Sequence, residues 1–326
     1  MPQVLCALLA VCGTAQADGK KPIVIKFSHV LADDTPKGKG ALLFKKLVEQ
    51  RLAGEMVVEV HANGSLFGDA DELEALRSNQ VQMLAPSLSK FEAYTPQLQV
   101  FDLPFLFDDL DAVKRFQKRE KSRELLHSMT AQNIYGLAFW NNGMKQLTAN
   151  RPLSLPADAK GLAFRIQPSV VLASQFEALG ATAVKLPFAE TLKALQSGSV
   201  QGTENPWSTI ASLKLEGVQS VVTETEHGSV NYLLVSSATF WNSMPYKTRT
   251  ELEAIIEEVS QVVTEEAEAQ NARDRAQVVA AGTLKVVSLS AEERAAWRAA
   301  LQPLWKTYEA AIGADVLRAA QTVNRR

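Results

Sequence analysis

Cysteine is nearly absent: among 326 residues only Cys6 and Cys12 carry a thiol. Both fall within 1–17, where the apolar run from Val4 to Val11 and the small residues of Gly13-Thr14-Ala15-Gln16-Ala17 read as a signal peptide cut after Ala17. The run has no basic residues before it and is too short to span a bilayer. Val11 is bulkier than the small residue that precedes the cysteine of a lipoprotein leader. A chain cut there keeps no cysteine, which excludes disulfides, thiolate nucleophiles and cysteine zinc sites.

Other absences narrow the field further. No later stretch approaches the roughly 18 apolar residues of a membrane helix. Charge of one sign is lacking too: 34 basic residues balance 36 acidic ones, and a net charge of -2 supplies no basic stripe for nucleic-acid phosphates. The four histidines, His29, His61, His127 and His227, stand in no metal spacing. There is no Gly-x-Gly-x-x-Gly, P-loop or Gly-x-Ser-x-Gly elbow. The expectation is a protein without metal or organic cofactor and without a nucleic-acid partner. A secreted hydrolase would need a paired nucleophile and base, for which no motif argues.

What is present is enough apolar content, 46%, to fill the cores of two domains. Short β-rich runs (23–28, 56–60, 81–85) alternate with amphipathic stretches (36–52, 69–78), which predicts βαβ units around a mostly parallel sheet. Thr35 before Pro36 is an N-cap and N1 pair, so the loop 29–34 lies at the carboxyl end of the first strand, the edge where ligands of open α/β sheets bind. A second block repeats the alternation, with strands over 135–140, 161–166, 183–186 and 230–236 and helices over 169–179 and 188–196. Two α/β lobes with no flexible linker imply crossovers that form a hinge. Over 246–281 there is no Gly or Pro and Gly282 follows as a C-cap, which predicts one helix of roughly 50 Å, long enough to reach both lobes. Ser290 and Glu293 form a capping box for a terminal helix carrying Trp297, Leu301 and Trp305.

Few residues are placed against packing logic. Arg165 ends the apolar strand Phe164-Arg165-Ile166, where a guanidinium fork can meet a carboxylate or close an internal salt bridge. Asn205 and Trp207 sit in the Gly- and Pro-bounded turn 201–207, and an asparagine there either donates to a ligand or supports its own backbone. Lys145 follows a strand and a glycine turn near the expected crossover. Lys37 and Lys90 occupy two first-lobe loops, as does His29 at the end of the first strand. A lone lysine is most often a solvated surface group, but several with an arginine on carboxyl-end loops suit a dianion.

Taken in order, Phe27-Ser28-His29-Val30 with 34–39, Gln82 to Ser87 with Ser89-Lys90-Phe91, Phe101 to Phe107, Asn142-Gly143 with Lys145-Gln146, 161–167, Leu186-Pro187-Phe188 and Gly202 to Pro206 resemble the dicarboxylate-binding proteins of TRAP transporters. The resemblance runs over nearly the whole chain beyond the leader. It implies an α/β periplasmic-binding-protein fold of two lobes with a hinge and a long spanning helix. It implies a receptor, not an enzyme, that closes on a C4-dicarboxylate such as succinate, fumarate or malate and delivers it to a membrane permease. The family's carboxylate-binding arginine falls on Arg165, its partner asparagine on Asn205, its apolar wall on Phe188 and a second basic group on Lys145. Asn141 stands where many such binders have aspartate, and Met144 where an aromatic is usual. A monocarboxylate receptor and a ligand sensor for a membrane kinase are the alternatives. The lobes are expected over 18–142 with 231–270 and 143–230 with 271–326, and the protein is expected to be a periplasmic monomer.

Overall fold

A computed structural model describes residues 21–324. The leader read over 1–17, and with it both cysteines, lies outside the described residues. In the first lobe the chain runs β1 (Ile23–Ser28), α1 (Pro36–Arg51), β2 (Met56–His61), α2 (Glu72–Arg77), β3 (Met83–Leu84), α3 (Leu110–Gln117), α4 (Glu120–His127) and β4 (Ile134–Met144). It then builds the second lobe from β5 (Gln146–Ala149), β6 (Ala163–Ile166), α5 (Val170–Ala178), β7 (Thr182–Lys185), α6 (Thr191–Ser197), β8 (Gly202–Asn205), α7 (Trp207–Ser212) and β9 (Val221–Glu224). It returns through β10 (Ser229–Ser237), α8 (Ala238–Ser243) and α9 (Tyr246–Ala281), and ends with β11 (Lys285–Ser288), α10 (Ala291–Leu301), α11 (Pro303–Ile312) and α12 (Ala314–Gln321).

Two sheets result, ordered β2-β1-β3-β10-β4 and β11-β9-β5-β8-β6-β7. They are mixed, not mostly parallel. β1 pairs in parallel with β2 and β3, but the long return strand β10 runs antiparallel to both β3 and β4, and β5 runs antiparallel to β8 and β9. The reason is the hinge: β4 passes straight into β5 through Lys145, while the other crossover, 225–228, leads from β9 back into β10. The backbone N–H of Lys145 donates to the carbonyl of Gly228 at 2.8 Å, tying the two crossovers together.

Local chemistry explains the elements that frame the cleft. Thr35 Oγ1 accepts from the N–H of Gly38 and Pro36 occupies the first turn, fixing the start of α1. Gly38 is required there, since a Cβ would stand 2.3 Å from the carbonyl oxygen of Ala32. That close approach seats Lys37 at the cleft. α9 is unbroken over its 36 residues, about 54 Å at 1.5 Å each. It packs on α1 and β4 of the first lobe and on α7 of the second. Gly282 ends it in the left-handed region at φ 63°.

The terminal helix expected through Trp305 breaks, because Pro303 begins a new helix, α11. The expected lobes set 271–326 as one block with the second. α10 does pack there through Trp297 and Leu301. Ile312, Val316, Leu317 and Ala320 of the last two helices instead join Leu98, Phe101, Phe116 and Leu125 in a first-lobe core.

Candidate functional site

Residues from both lobes line one cavity of about 470 Å³ of atom-free space, part of it continuous with solvent. Lys37, Asp69, Ser87, Lys90 and Tyr232 come from the first lobe and Arg165, Phe188, Asn205 and Thr209 from the second, with Val30, Leu31 and Val230 as apolar wall. Five residues singled out from the sequence meet here: Lys37, Lys90, Arg165, Phe188 and Asn205.

Arg165, the last residue but one of β6, has only 3% of its surface exposed. Its Nε and Nη2 both donate to the carbonyl of Leu186, at 3.0 and 2.7 Å, which fixes the plane of the fork. No carboxylate lies within ion-pair distance of it among the described residues, so the internal salt bridge that the sequence left open is not formed. Burial pulls its pKa down to about 10, with Asp69 and Glu204 acting the other way, so it remains a cation. A buried guanidinium with no anion beside it is costly unless one arrives. Phe188 stands with its ring centre 6.0 Å from the guanidinium carbon. Asn205, at the end of β8, donates to Thr203 Oγ1 at 3.1 Å and lines the same cavity.

On the facing lobe Lys37 is 2% exposed. Its Nζ donates to the carbonyl of Ala85 at 3.0 Å and lies 3.9 Å from the ring centre of Tyr232. Burial lowers its pKa to about 7, against the pull of Glu72 and with a further push from Lys90. Lys90 is already engaged, its Nζ held by both Asp69 and Glu72. Tyr232 accepts from Asn142 Nδ2 at 3.0 Å and lines the cavity. Ser87 adds a hydroxyl.

Three candidates lie elsewhere. Lys145, expected as a second basic ligand group, is buried at the hinge, where its Nζ meets Glu204 Oε1 at 2.7 Å. Glu204 Oε2 stands 2.8 Å from His227 Nε2 and accepts from Gln175 Nε2 at 3.2 Å. Burial acts to raise the Glu204 pKa, but Lys145 and His227 outweigh it and hold the carboxyl near 2. His29 lies behind the cavity, edge-on to Phe27, and burial, with help from Lys37, lowers its pKa to about 3, so its ring stays neutral. Trp207 packs in the core behind β8 with Ile210 and Val278. Sequence reasoning missed Asp69, Ser87, Thr209 and Tyr232. Asp69 read as the acidic start of a helix and Tyr232 as a strand core residue. Among the described residues no group of three His, Cys, Asp or Glu is arranged to hold a metal ion, and no helix is long and apolar enough to cross a membrane.

Known proteins share this architecture. The family model for bacterial extracellular solute-binding proteins, family 7 (DctP), matches residues 27–311. The C4-dicarboxylate-binding periplasmic protein DctP of Shewanella loihica is 47% identical over 320 residues, 98% of this chain and 95% of that protein. A TRAP periplasmic solute-binding protein from Pseudomonas aeruginosa with bound L-malate is 67% identical, covers 88% of this chain and 100% of its own, and superposes with a TM-score of 0.86. One from Shewanella oneidensis with bound succinate is 48% identical, covers 93% and 100%, and gives a TM-score of 0.92.

Proposed function

Because the chain belongs to the bacterial extracellular solute-binding protein family 7, we propose that it is the receptor of a TRAP transporter, binding a C4-dicarboxylate such as succinate or malate between its lobes. The observation that carries the reading is Arg165, a buried guanidinium of fixed orientation that has no protein carboxylate and faces a cavity shared by both lobes. One ligand carboxylate meets Arg165 and Asn205. The other meets Lys37, Ser87 and the Tyr232 hydroxyl across the cleft. Lys37 thus takes the role first read onto Lys145, which Glu204 occupies.

Proteins of this family are periplasmic receptors, not enzymes, and TRAP receptors work with membrane permease subunits. We place this chain in the periplasm as a monomer, delivered by a leader over 1–17, with no chemistry done on its ligand. The lobes divide at Lys145, at 225–228 and within α9, and α11 and α12 count with the first lobe. Calorimetric titration with succinate, fumarate, L-malate, butyrate and galactonate tests the ligand class. Tight binding of the C4 diacids with weak or absent heat for the two monoacids is expected. Tighter binding of either monoacid overturns the assignment.

A further inference from the structure

Asp69 is an anomaly in a cavity built for anions, an acidic residue lining the same space as Lys37 and Arg165. It stands in the loop before α2, in the first lobe, where one oxygen meets Lys90 Nζ. Its other oxygen, Oδ2, accepts the backbone N–H of Phe188 at 2.5 Å, across the cleft from a residue 119 positions away. Two residues earlier in the same segment, the carbonyl of Leu186 is held by Nε and Nη2 of Arg165. Pro187 lies between them, with φ fixed near -52° and no N–H to offer. The short segment 186–188 is therefore gripped from both lobes, by Arg165 at its carbonyl end and by Asp69 at its amide end. A continuous line of contacts runs from Lys90 through Asp69, Phe188 and Leu186 to Arg165.

We propose that Asp69 is a closure latch and a positioning residue: as the lobes meet, its carboxylate captures the Phe188 N–H and so locks the segment that orients the Arg165 fork. The proposal rests on reading the cavity as a dicarboxylate site. Asp69 is equipped for the task. Burial would raise its pKa, but Lys90, the Phe188 N–H and Lys37 together lower it, so it stays ionised and makes a charge-assisted bond. The geometry also explains why an anionic site tolerates a carboxylate, since Lys90 and Phe188 already take up its two oxygens.

The latch and the bare charge predict opposite signs. If Asp69 acted only through its charge, removing it would tighten the binding of a dianion. If it is a latch, removing it loosens binding. Succinate affinity and dissociation rate are to be measured for the wild type, Asp69→Ala and Asp69→Asn, together with hydrogen exchange of the peptide containing the Phe188 amide. Asp69→Ala is expected to weaken succinate binding about tenfold or more, chiefly through faster dissociation. Asp69→Asn keeps an oxygen acceptor and should lose less. The Phe188 amide should exchange faster in both variants, most in the alanine one. Unchanged or tighter succinate binding by Asp69→Ala, or unchanged exchange at Phe188, overturns the latch. Should the alanine variant fail to fold, the asparagine variant decides by the same exchange, because a neutral amide is the weaker acceptor. If the wild type binds neither succinate nor malate, the dicarboxylate reading fails. The latch is then decided in the ligand-free proteins by whether the fraction that closes unaided protects the Phe188 amide in the wild type more than in Asp69→Ala, equal exchange overturning it.

Discussion

The guanidinium of Arg165 divides its donors between the protein and the cavity, two nitrogens on the Leu186 carbonyl and the remainder free for a ligand. Arg165→Lys keeps the charge but loses the fork, so succinate affinity should fall at least about tenfold, or about 1.4 kcal/mol. Arg165→Ala should cost about 2–5 kcal/mol of binding, because a ligand carboxylate is left desolvated. Calorimetry beside circular dichroism melts of the ligand-free variants checks both, and near-wild-type affinity for Arg165→Ala would show the carboxylate anchor lies elsewhere. Lys37 adds a pH dependence. Its pKa is about 7, lowered by burial, and a dianion bound beside it must raise that value. Binding then takes up a proton above pH 7, and succinate affinity should fall between pH 7 and 9 by up to about a factor of ten per pH unit. A flat profile over that range, or equal heats in buffers of different ionisation enthalpy, contradicts it. Arg165 was legible in the sequence because a charge at the end of an apolar strand has no packing reason to be there. The same logic failed for Lys145, since a crossover looks exposed in sequence and only the fold brings Glu204 against it. Asp69 and Tyr232 carried no such anomaly, one being an ordinary acid before a helix and the other an ordinary strand aromatic.

Helix and strand boundaries followed the sequence wherever local chemistry set them: Thr35 with Pro36, Ser290 with Glu293, and Gly282 after 36 residues without a breaker. The strands that escaped were β5, β8, β9 and β11, all four residues long. β8 shows why. Gly202-Thr203-Glu204-Asn205 is wholly buried yet contains no apolar side chain, so periodicity cannot reveal it, and its burial is made by the hinge network. That network gives an element-scale prediction. Lys145→Met would leave Glu204 ionised and short of its cation, with destabilisation of about 3–5 kcal/mol, read by denaturant or thermal melts. In the wild type the Glu204 carboxyl is held near 2, below its unfolded value, so its contribution is present above about pH 5 and is lost as pH falls toward 2. Acid melts of Lys145→Met should therefore lose stability less steeply in that window than the wild type. Asn271 does comparable work on α9, donating to the Asn142 carbonyl at 2.8 Å and accepting from the Ser208 N–H at 2.9 Å where the helix passes between lobes. Nothing in the helical pattern of 246–281 distinguishes it.

For the whole molecule, what matters is that the two halves of the site are built on different sheets. Arg165 near the end of β6 and Asn205 at the end of β8 stand in one sheet, while Tyr232 stands on β10 of the other, with Lys37 in the first turn of α1 and Ser87 bridged to Tyr232 beside it. A ligand stabilises closure only to the extent that it binds the closed arrangement better than the open one. A C4 diacid touches both halves. A monoacid of similar length satisfies Arg165 and leaves Lys37 buried without an anion, so it gains the first contact and forgoes most of the closure. The two ligand types should therefore differ in what they do to shape as well as in affinity. In small-angle scattering, saturating succinate should reduce the radius of gyration, while butyrate at equal occupancy should leave it close to the ligand-free value. Succinate at a thousand times its Kd should also add about 4 kcal/mol to folding stability, seen as a rise of several degrees in Tm. Lys37→Met separates the two effects. It retains the Arg165 contact, so succinate binds with an affinity near that of butyrate and the compaction disappears. Full compaction by succinate in Lys37→Met would mean that the distal carboxylate does not drive closure through Lys37, and that other first-lobe groups such as Ser87 and Tyr232 suffice for it.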